Sequence, residues 1–317
     1  MTDFGELKNV DIRSVWPHEA AFFTPWLAKN IKKLGDALGL ELELTEQEAD
    51  VGDFALDILA KDLGTGRNVI IENQFGGTNH DHLGKLLTYA SGYDASTIIW
   101  IAETIRDEHR QALDWLNQRT DASTDFFAVT VELFRVDESK PVVRFNPVVY
   151  PNEWAKGQGH KPSDSRSPRA EAYRVFFQQL IDELRDKYHF TGAKVAQPQN
   201  WYSFSSGFSG ITYGFSFGQG DRAKVELYID LGESAPTKEL FDWLQTDKQS
   251  IEKDFGEPLS WERLEDRRAS RVALYRPGSI DDEQKIQAEI KAWAIQNLLK
   301  MKRVMEPRLS KSKISNA

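Results

Sequence analysis

Cysteine is absent from the 317 residues. That excludes disulfides, thiolate metal sites and thiol nucleophiles, so a bound metal must be held by oxygen or imidazole, which points to a hard cation. Long apolar runs are missing too: none approaches the ~18 residues needed to span a bilayer. The opening Met-Thr-Asp-Phe-Gly-Glu has neither the basic start nor the apolar stretch of a secretion signal. The expectation is a cytoplasmic protein with no membrane partner. Positive charge is in deficit, at a formal net of -9, which argues against a surface built throughout for polyanions. Local basic clusters still occur. Lys300, Lys302, Arg303, Arg308, Lys311 and Lys313 face only Glu306, a run that reads as a frayed, solvated tail or as a phosphate-binding arm. Apolar mass is not lacking: 40% hydrophobic residues with nine Trp describe a folded chain, and the length suggests two domains.

In the first half, Thr24 followed by Pro25 predicts a helix start, with Thr24 as the cap. Trp26, Leu27, Ile31, Leu34 and Leu38 then recur at helical spacing up to Gly39. Leu40, Leu42 and Leu44 alternate with Glu41 and Glu43, as in an exposed or edge strand. Two further strands are expected at Phe54 to Lys61 and Asn68 to Gln74. Asp81 to Tyr93 reads as a helix capped by Asp81. The continuous apolar run Thr97 to Ala102 has the pattern of a strand buried on both faces of a parallel pair. A helix at Ile105 to Arg119 and a strand at Phe126 to Phe134 complete an α/β sandwich with a mixed sheet.

Ala155 to Arg169 is rich in turn formers and without apolar periodicity, and is the expected linker. The domains are then 1–154 and 170–317. The second reads as a smaller α+β domain with helices near Ala170 to Tyr188, Thr237 to Glu252 and Asp281 to Met305, and strands at Lys224 to Asp230 and Ser270 to Tyr275. Between the first helix and these strands, Trp201, Tyr202, Phe204, Phe208, Tyr213, Phe215 and Phe217 interleave with Ser and Gly. Such a segment suits core packing against a helix better than base stacking. Arg267, Arg268, Arg271 and Arg276 cluster near a strand as if to track a phosphate backbone, but Glu262, Glu265 and Asp266 lie alongside and suggest surface ion pairs. Ile286, Ile290, Trp293, Ala294 and Met301 form an apolar stripe for packing or homodimerisation.

The chemistry concentrates around the turn Leu63-Gly64-Thr65-Gly66-Arg67. Positions 57 and 72 are symmetric about that turn, so a regular hairpin puts Asp57 opposite Glu72. Like charges so placed, ~5 Å apart at Cβ, destabilise a sheet unless a cation lies between them. Two converging carboxylates suit Mg²⁺. Alternation puts Phe54, Leu56 and Ile58 on a core face and Asp57, with Glu72 and Gln74, on a polar one.

Gly52-Asp53-Phe54-Ala55-Leu56-Asp57 followed by Ile71-Glu72-Asn73-Gln74 resembles the signature of the PD-(D/E)xK nuclease superfamily. The run on through Thr78-Asn79-His80-Asp81-His82-Leu83-Gly84-Lys85-Leu86-Leu87-Thr88-Tyr89-Ala90 is similar to an uncharacterised bacterial family with such a module ahead of a C-terminal domain of unknown function. The resemblance implies a restriction-endonuclease-like core in residues 1–154 and target recognition or oligomerisation in 170–317. It implies metal-dependent hydrolysis of phosphodiesters, in bacterial defence or DNA processing, with DNA as the expected substrate and RNA left open. Asp57 and Glu72 would hold Mg²⁺ or Mn²⁺. Gln74 stands where the signature has Lys, and it supplies no positive charge. By the same resemblance Gln74 would orient the attacking water, Lys85 from the next helix would replace the lysine, and Glu19 would add an acid from the first helix. Asp53 is a more distant ligand candidate, and His80 with His82 allows a zinc reading that lacks a third ligand. The alternative is a non-catalytic nucleic-acid-binding or regulatory protein that retains the fold.

Overall fold

The computed structural model describes residues 5–52, 54–120, 124–151 and 168–312. Two compact units emerge from it, residues 1–62 with 66–165, and residues 63–65 with 166–317. Most of the expected linker, and Asp53 with it, lie outside the described residues. Pro168 and Arg169 do not belong to a linker: they already form the first turn of a helix, where proline's missing N–H costs nothing.

The first unit is an α/β sandwich around a seven-stranded mixed sheet. Its strands are β1 (Leu7–Val10), β2 (Leu42–Val51), β3 (Phe54–Asp62), β4 (Arg67–Gly77), β5 (Thr97–Thr104), β6 (Asp125–Val136) and β7 (Val142–Val149), in the order β1-β6-β5-β4-β3-β2 with β7 on β6. The centre is parallel, β4 to β5 to β6, and the flanks are antiparallel. Residues 97–102 of β5 are all buried, as their apolar run predicts. Helices α1 (Ile12–Val15), α2 (Thr24–Lys29) and α3 (Ile31–Leu38) lie between β1 and β2 in the chain. Phe23, Leu27 and Leu34 join Ile58, Ala60, Val69, Ile71 and Ile99 in the core on one face. Helices α4 (His80–Gly92) and α5 (Asp107–Arg119) supply Leu86, Tyr89 and Leu113 to a second core with Ile70, Ile98 and Trp100 on the other. Fully burying each such side chain contributes ~1.5–3 kcal/mol before chain entropy is counted.

Four local expectations need correction. Thr24 is not a cap: the preceding π-helical turn, Glu19–Phe23, runs straight into α2, and the buried Thr24 hydroxyl instead accepts from Asn73 Nδ2 at 3.0 Å. Asp81 does not cap α4 either. Asn79 does so, its Oδ1 accepting from the His82 amide at 2.9 Å. The sheet has no single core face, because helices cover both sides. The alternation through β3 also breaks: Leu56 and Ile58 enter opposite cores, and Phe54 is 58% exposed.

The second unit is built on a fully antiparallel sheet, ordered β11-β12-β10-β9-β8, from β8 (Trp201–Ser205), β9 (Ile211–Gly218), β10 (Arg222–Ile229), β11 (Ser260–Glu262) and β12 (Ser270–Pro277). Tyr202, Phe204, Tyr213, Phe215 and Phe217 face inward against Phe176 and Phe177 of the helix Pro168–Asp186, so the aromatic segment is core. The expected helix over 237–252 is two, Ser234–Thr246 and Lys248–Phe255. The closing helix, Gln284–Leu309, extends past Met305. Lys300, Lys302, Arg303 and Arg308 are therefore helical rather than part of a frayed tail, while Lys313 lies outside the described residues. Ile290, Ala294 and Met301 are fully buried in the unit's own core, so most of the apolar stripe is internal packing. Two members of the arginine cluster form ion pairs, Arg268 with Asp230 and Arg271 with Glu226 and Glu262, and Arg276 donates to the Pro277 and Glu289 carbonyls.

Candidate active site

The β3–β4 hairpin has the register that its turn dictates. Asp62 pairs with Arg67, and the ladder continues to Ile58 opposite Ile71, so one step further brings Asp57 opposite Glu72. There the strands part. β3 goes on pairing with β2 from Ile58 back to Phe54, while β4 stays paired with β5 through Gln74. A notch opens between β3 and β4, and the backbone amides along that side of β4 lose their strand partner. An unpaired amide in a partly buried notch needs another acceptor.

Carboxylates supply it. The Asn73 amide donates to Asp57 Oδ2 at 2.7 Å and the Phe75 amide donates to Glu19, while on the β5 edge, at the register shift between Gln74 and Gly77, the Gly76 amide donates to Glu103 Oε1 at 2.9 Å. Glu19 reaches β4 because the π-helical turn before α2 carries it there. Ile70 packs on the α4 side of the sheet and Val69 and Ile71 on the opposite side, so period-two alternation puts Glu72 and Gln74 on the α4 side. Lys85, in the second turn of α4, extends its Nζ to 3.8 Å from Glu72 Oε1. Glu72 is 2% exposed, and its second oxygen, Oε2, has no partner.

The electrostatics follow from this crowding. Burial pushes Glu72 up to about 8, helped by Asp57 and Glu19 and opposed by Lys85. Burial also raises Asp57 to about 6, with Glu48 adding to the rise and the Asn73 amide and Lys85 opposing it. Glu19 rises to about 7, again chiefly through burial, against the Phe75 amide, Lys85 and Arg13 and with Asp57. Three acids raised chiefly by burial, with Asp57 adding to the rise at both Glu19 and Glu72, are a site short of positive charge.

Gln74 donates its Nε2 to the Gly77 carbonyl at 2.8 Å, while its Oε1 is buried without a partner. His80 and His82, adjacent in the zinc reading, turn to separate partners. His80 Nδ1 meets His109 Nε2 at 3.1 Å, whose Nδ1 meets Thr78 Oγ1 at 2.7 Å, and His82 Nδ1 faces Asn79 Oδ1. Among the described residues no group of three His, Asp or Glu side chains is placed to hold a metal ion, and the Asp57 and Glu19 carboxylates both accept from backbone amides.

Residues 172–309, inside the second unit, match the model of a family described as a domain of unknown function (DUF4268). No curated protein and no solved structure matches the chain.

The structure therefore gathers Glu19, Asp57, Glu72, Gln74 and Lys85 around one notch. It adds two residues that local pattern does not single out. Glu103 holds the Gly76 amide, and Arg13 both moderates Glu19 and lies over the Phe75 ring at 5.4 Å. An acid at the carboxyl end of a strand in the parallel centre is a usable signal for Glu103. Arg13, on a four-residue helix, carries none.

Proposed function

We propose that the notch is the active site of a divalent-metal-dependent phosphodiesterase acting on nucleic acid, DNA first. The observation that carries this reading is Glu72 Oε2, a buried carboxylate oxygen without a partner, between two other acids whose protons are held unusually tightly. A purely structural acid would be satisfied on both oxygens. An all-oxygen donor set with no thiolate fits a hard cation such as Mg²⁺ or Mn²⁺. Asp57 and Glu72 would hold it, with Glu19 nearest as a third acid. A metal bound there polarises a phosphate and makes its bound water acidic.

The remaining work falls to the chain itself. Lys85 supplies the positive charge that Gln74 lacks, next to the oxygens where negative charge develops. Gln74, with its Nε2 committed to Gly77, presents only an acceptor oxygen and can hold a water by one of its hydrogens. Arg13, on the Glu19 side, adds a second cation facing a polyanion. The likeness to the PD-(D/E)xK signature supports the same reading, as does the α/β sandwich with its notch at the strand ends. A role in bacterial defence or DNA processing follows from that likeness.

A non-catalytic reading has its own observation: Asp57 and Glu19 both cap backbone amides, work that needs no metal. Incubating the chain with plasmid, linear and single-stranded DNA and with RNA, in Mg²⁺ or Mn²⁺, separates the two. Wild type is expected to cut DNA, and Asp57→Asn and Glu72→Gln each to lose roughly 10²–10³-fold in rate. A wild type that cuts none of the four, or a Glu72→Gln that cuts equally fast, would reject the enzyme reading.

A further inference from the structure

The second unit has two clefts that meet at one residue. One, of about 720 Å³, is lined by Trp243, Asp247, Asp254, Arg303, Arg308 and Lys311. The other, of about 490 Å³, is lined by Glu183, Lys187, Tyr188, Lys300 and Arg303 among others. Arg303, on the closing helix, belongs to both, so the clefts form one track past its side chain.

The charges of this track are unusual for a chain of net charge -9. Its acids are already occupied. Asp247 and Asp254 both hold Arg308, at 2.8 and 2.7 Å, and Glu183 faces Lys187 and Lys291. Among the described residues Arg303 and Lys311 are exposed and have no anionic partner. Beside them Trp243 is 42% exposed, and Tyr188 is 36% exposed in the adjoining cleft. Uncommitted cations and the exposed Trp243 ring thus share concave surface, while the Tyr188 ring already carries the Lys187 ammonium at 5.0 Å.

We propose that this track binds single-stranded nucleic acid, with Arg303 and Lys311 on phosphates and Trp243 under a base. Such binding combines a positive groove with rings on which bases stack. A duplex hides its base faces and could use the cations alone. The Arg308 clamp, which ties the closing helix to Asp247 and Asp254, fixes the wall from which Arg303 and Lys311 project. This binding is independent of the carboxylate notch and of any metal.

The test measures fluorescence anisotropy of a labelled oligothymidylate of about 15 nucleotides, within the span of such sites, with the full chain in EDTA. Salt is varied between about 50 and 200 mM. The Arg303→Ala/Lys311→Ala double variant should bind more weakly, with the slope of log affinity against log salt reduced by about 1.4, or ~0.7 per lost phosphate contact. Trp243→Ala should lose about 5- to 150-fold, the range of one base stack, and Trp243→Phe should recover most of it. The assay is run without metal and reads binding alone, so a failed cleavage assay leaves this result intact. The proposal is overturned if the double variant keeps wild-type affinity and salt slope, if a duplex of equal length binds as tightly, or if wild type fails to bind at the lowest salt.

Discussion

Lys85 and Glu72 set the behaviour of the notch residue by residue. The ammonium is partly exposed, and its loose 3.8 Å pair with Glu72 belongs to the class worth at most ~1 kcal/mol. Removing it should therefore separate binding from chemistry. Lys85→Met makes the site more negative, so Mn²⁺ affinity by titration calorimetry should rise by roughly two- to fivefold, while DNA cleavage falls. A parallel loss of metal binding and cleavage would place Lys85 in the scaffold instead. Thr24 tests the opposite kind of residue. Thr24→Val keeps the shape but leaves Asn73 Nδ2 without its acceptor in a fully buried position. That should cost ~1–3 kcal/mol, read as a fall of roughly 3–10 °C in the first unit's melting temperature. Asn73 precedes Gln74 and bonds Asp57 through its amide, so the same variant should also slow cleavage.

At the scale of elements, the hairpin and α4 together make the site. Helix α4 presents Lys85 only if its first turn is held, and Asn79 holds it with a side-chain cap. Asn79→Ala should destabilise the first unit by ~0.5–2 kcal/mol in chemical denaturation, without altering the oligonucleotide affinity of the second unit. The hairpin is legible in the amino-acid sequence, because β-branched Val69, Ile70 and Ile71 and a Gly-flanked turn fix a register that pairs 57 with 72. The buried parallel strand at 97–102 is legible for the same reason, a local pattern with one reading. The parting of β3 from β4 after Ile58 is not. It depends on β2 keeping its grip on β3, a long-range choice that no window of sequence contains. The Gly76–Glu103 bond at the β4–β5 register shift and the Thr24–Asn73 bond are long-range contacts too, and so escape the pattern as well. Strands β1 and β7 are completed only by pairing with β6, and their own residues alternate too weakly to declare them.

Across the whole molecule, charge decides more than hydrophobicity. Glu19, Asp57 and Glu72 all hold protons more tightly than ordinary carboxylates. Between the ordinary carboxylate range and about pH 8 the folded chain thus binds more protons than the unfolded one. Their contribution to stability is full at the acid end and lost as pH rises through about 6 to 8. The metal-free wild type should lose more melting temperature from pH 5 to 8 than Glu72→Gln does, by scanning calorimetry. Mg²⁺ or Mn²⁺ should restore the loss at about pH 8 and do little near pH 5, where protons compete for the same oxygens. Equal pH slopes in the two proteins would remove Glu72 from the account. The edge strand β2 carries a related charge pattern on its own: Glu46, Glu48 and Asp50 are exposed along a rim that pairs only with β3. A bare strand edge is a template for fibrous stacking of one copy on the next, and a row of like charges is among the devices that prevent it. Erasing that row, as in Glu46→Gln/Glu48→Gln/Asp50→Asn, is then the change under which solutions of this protein turn cloudy, and added glutamates on β2 are the change that keeps them clear.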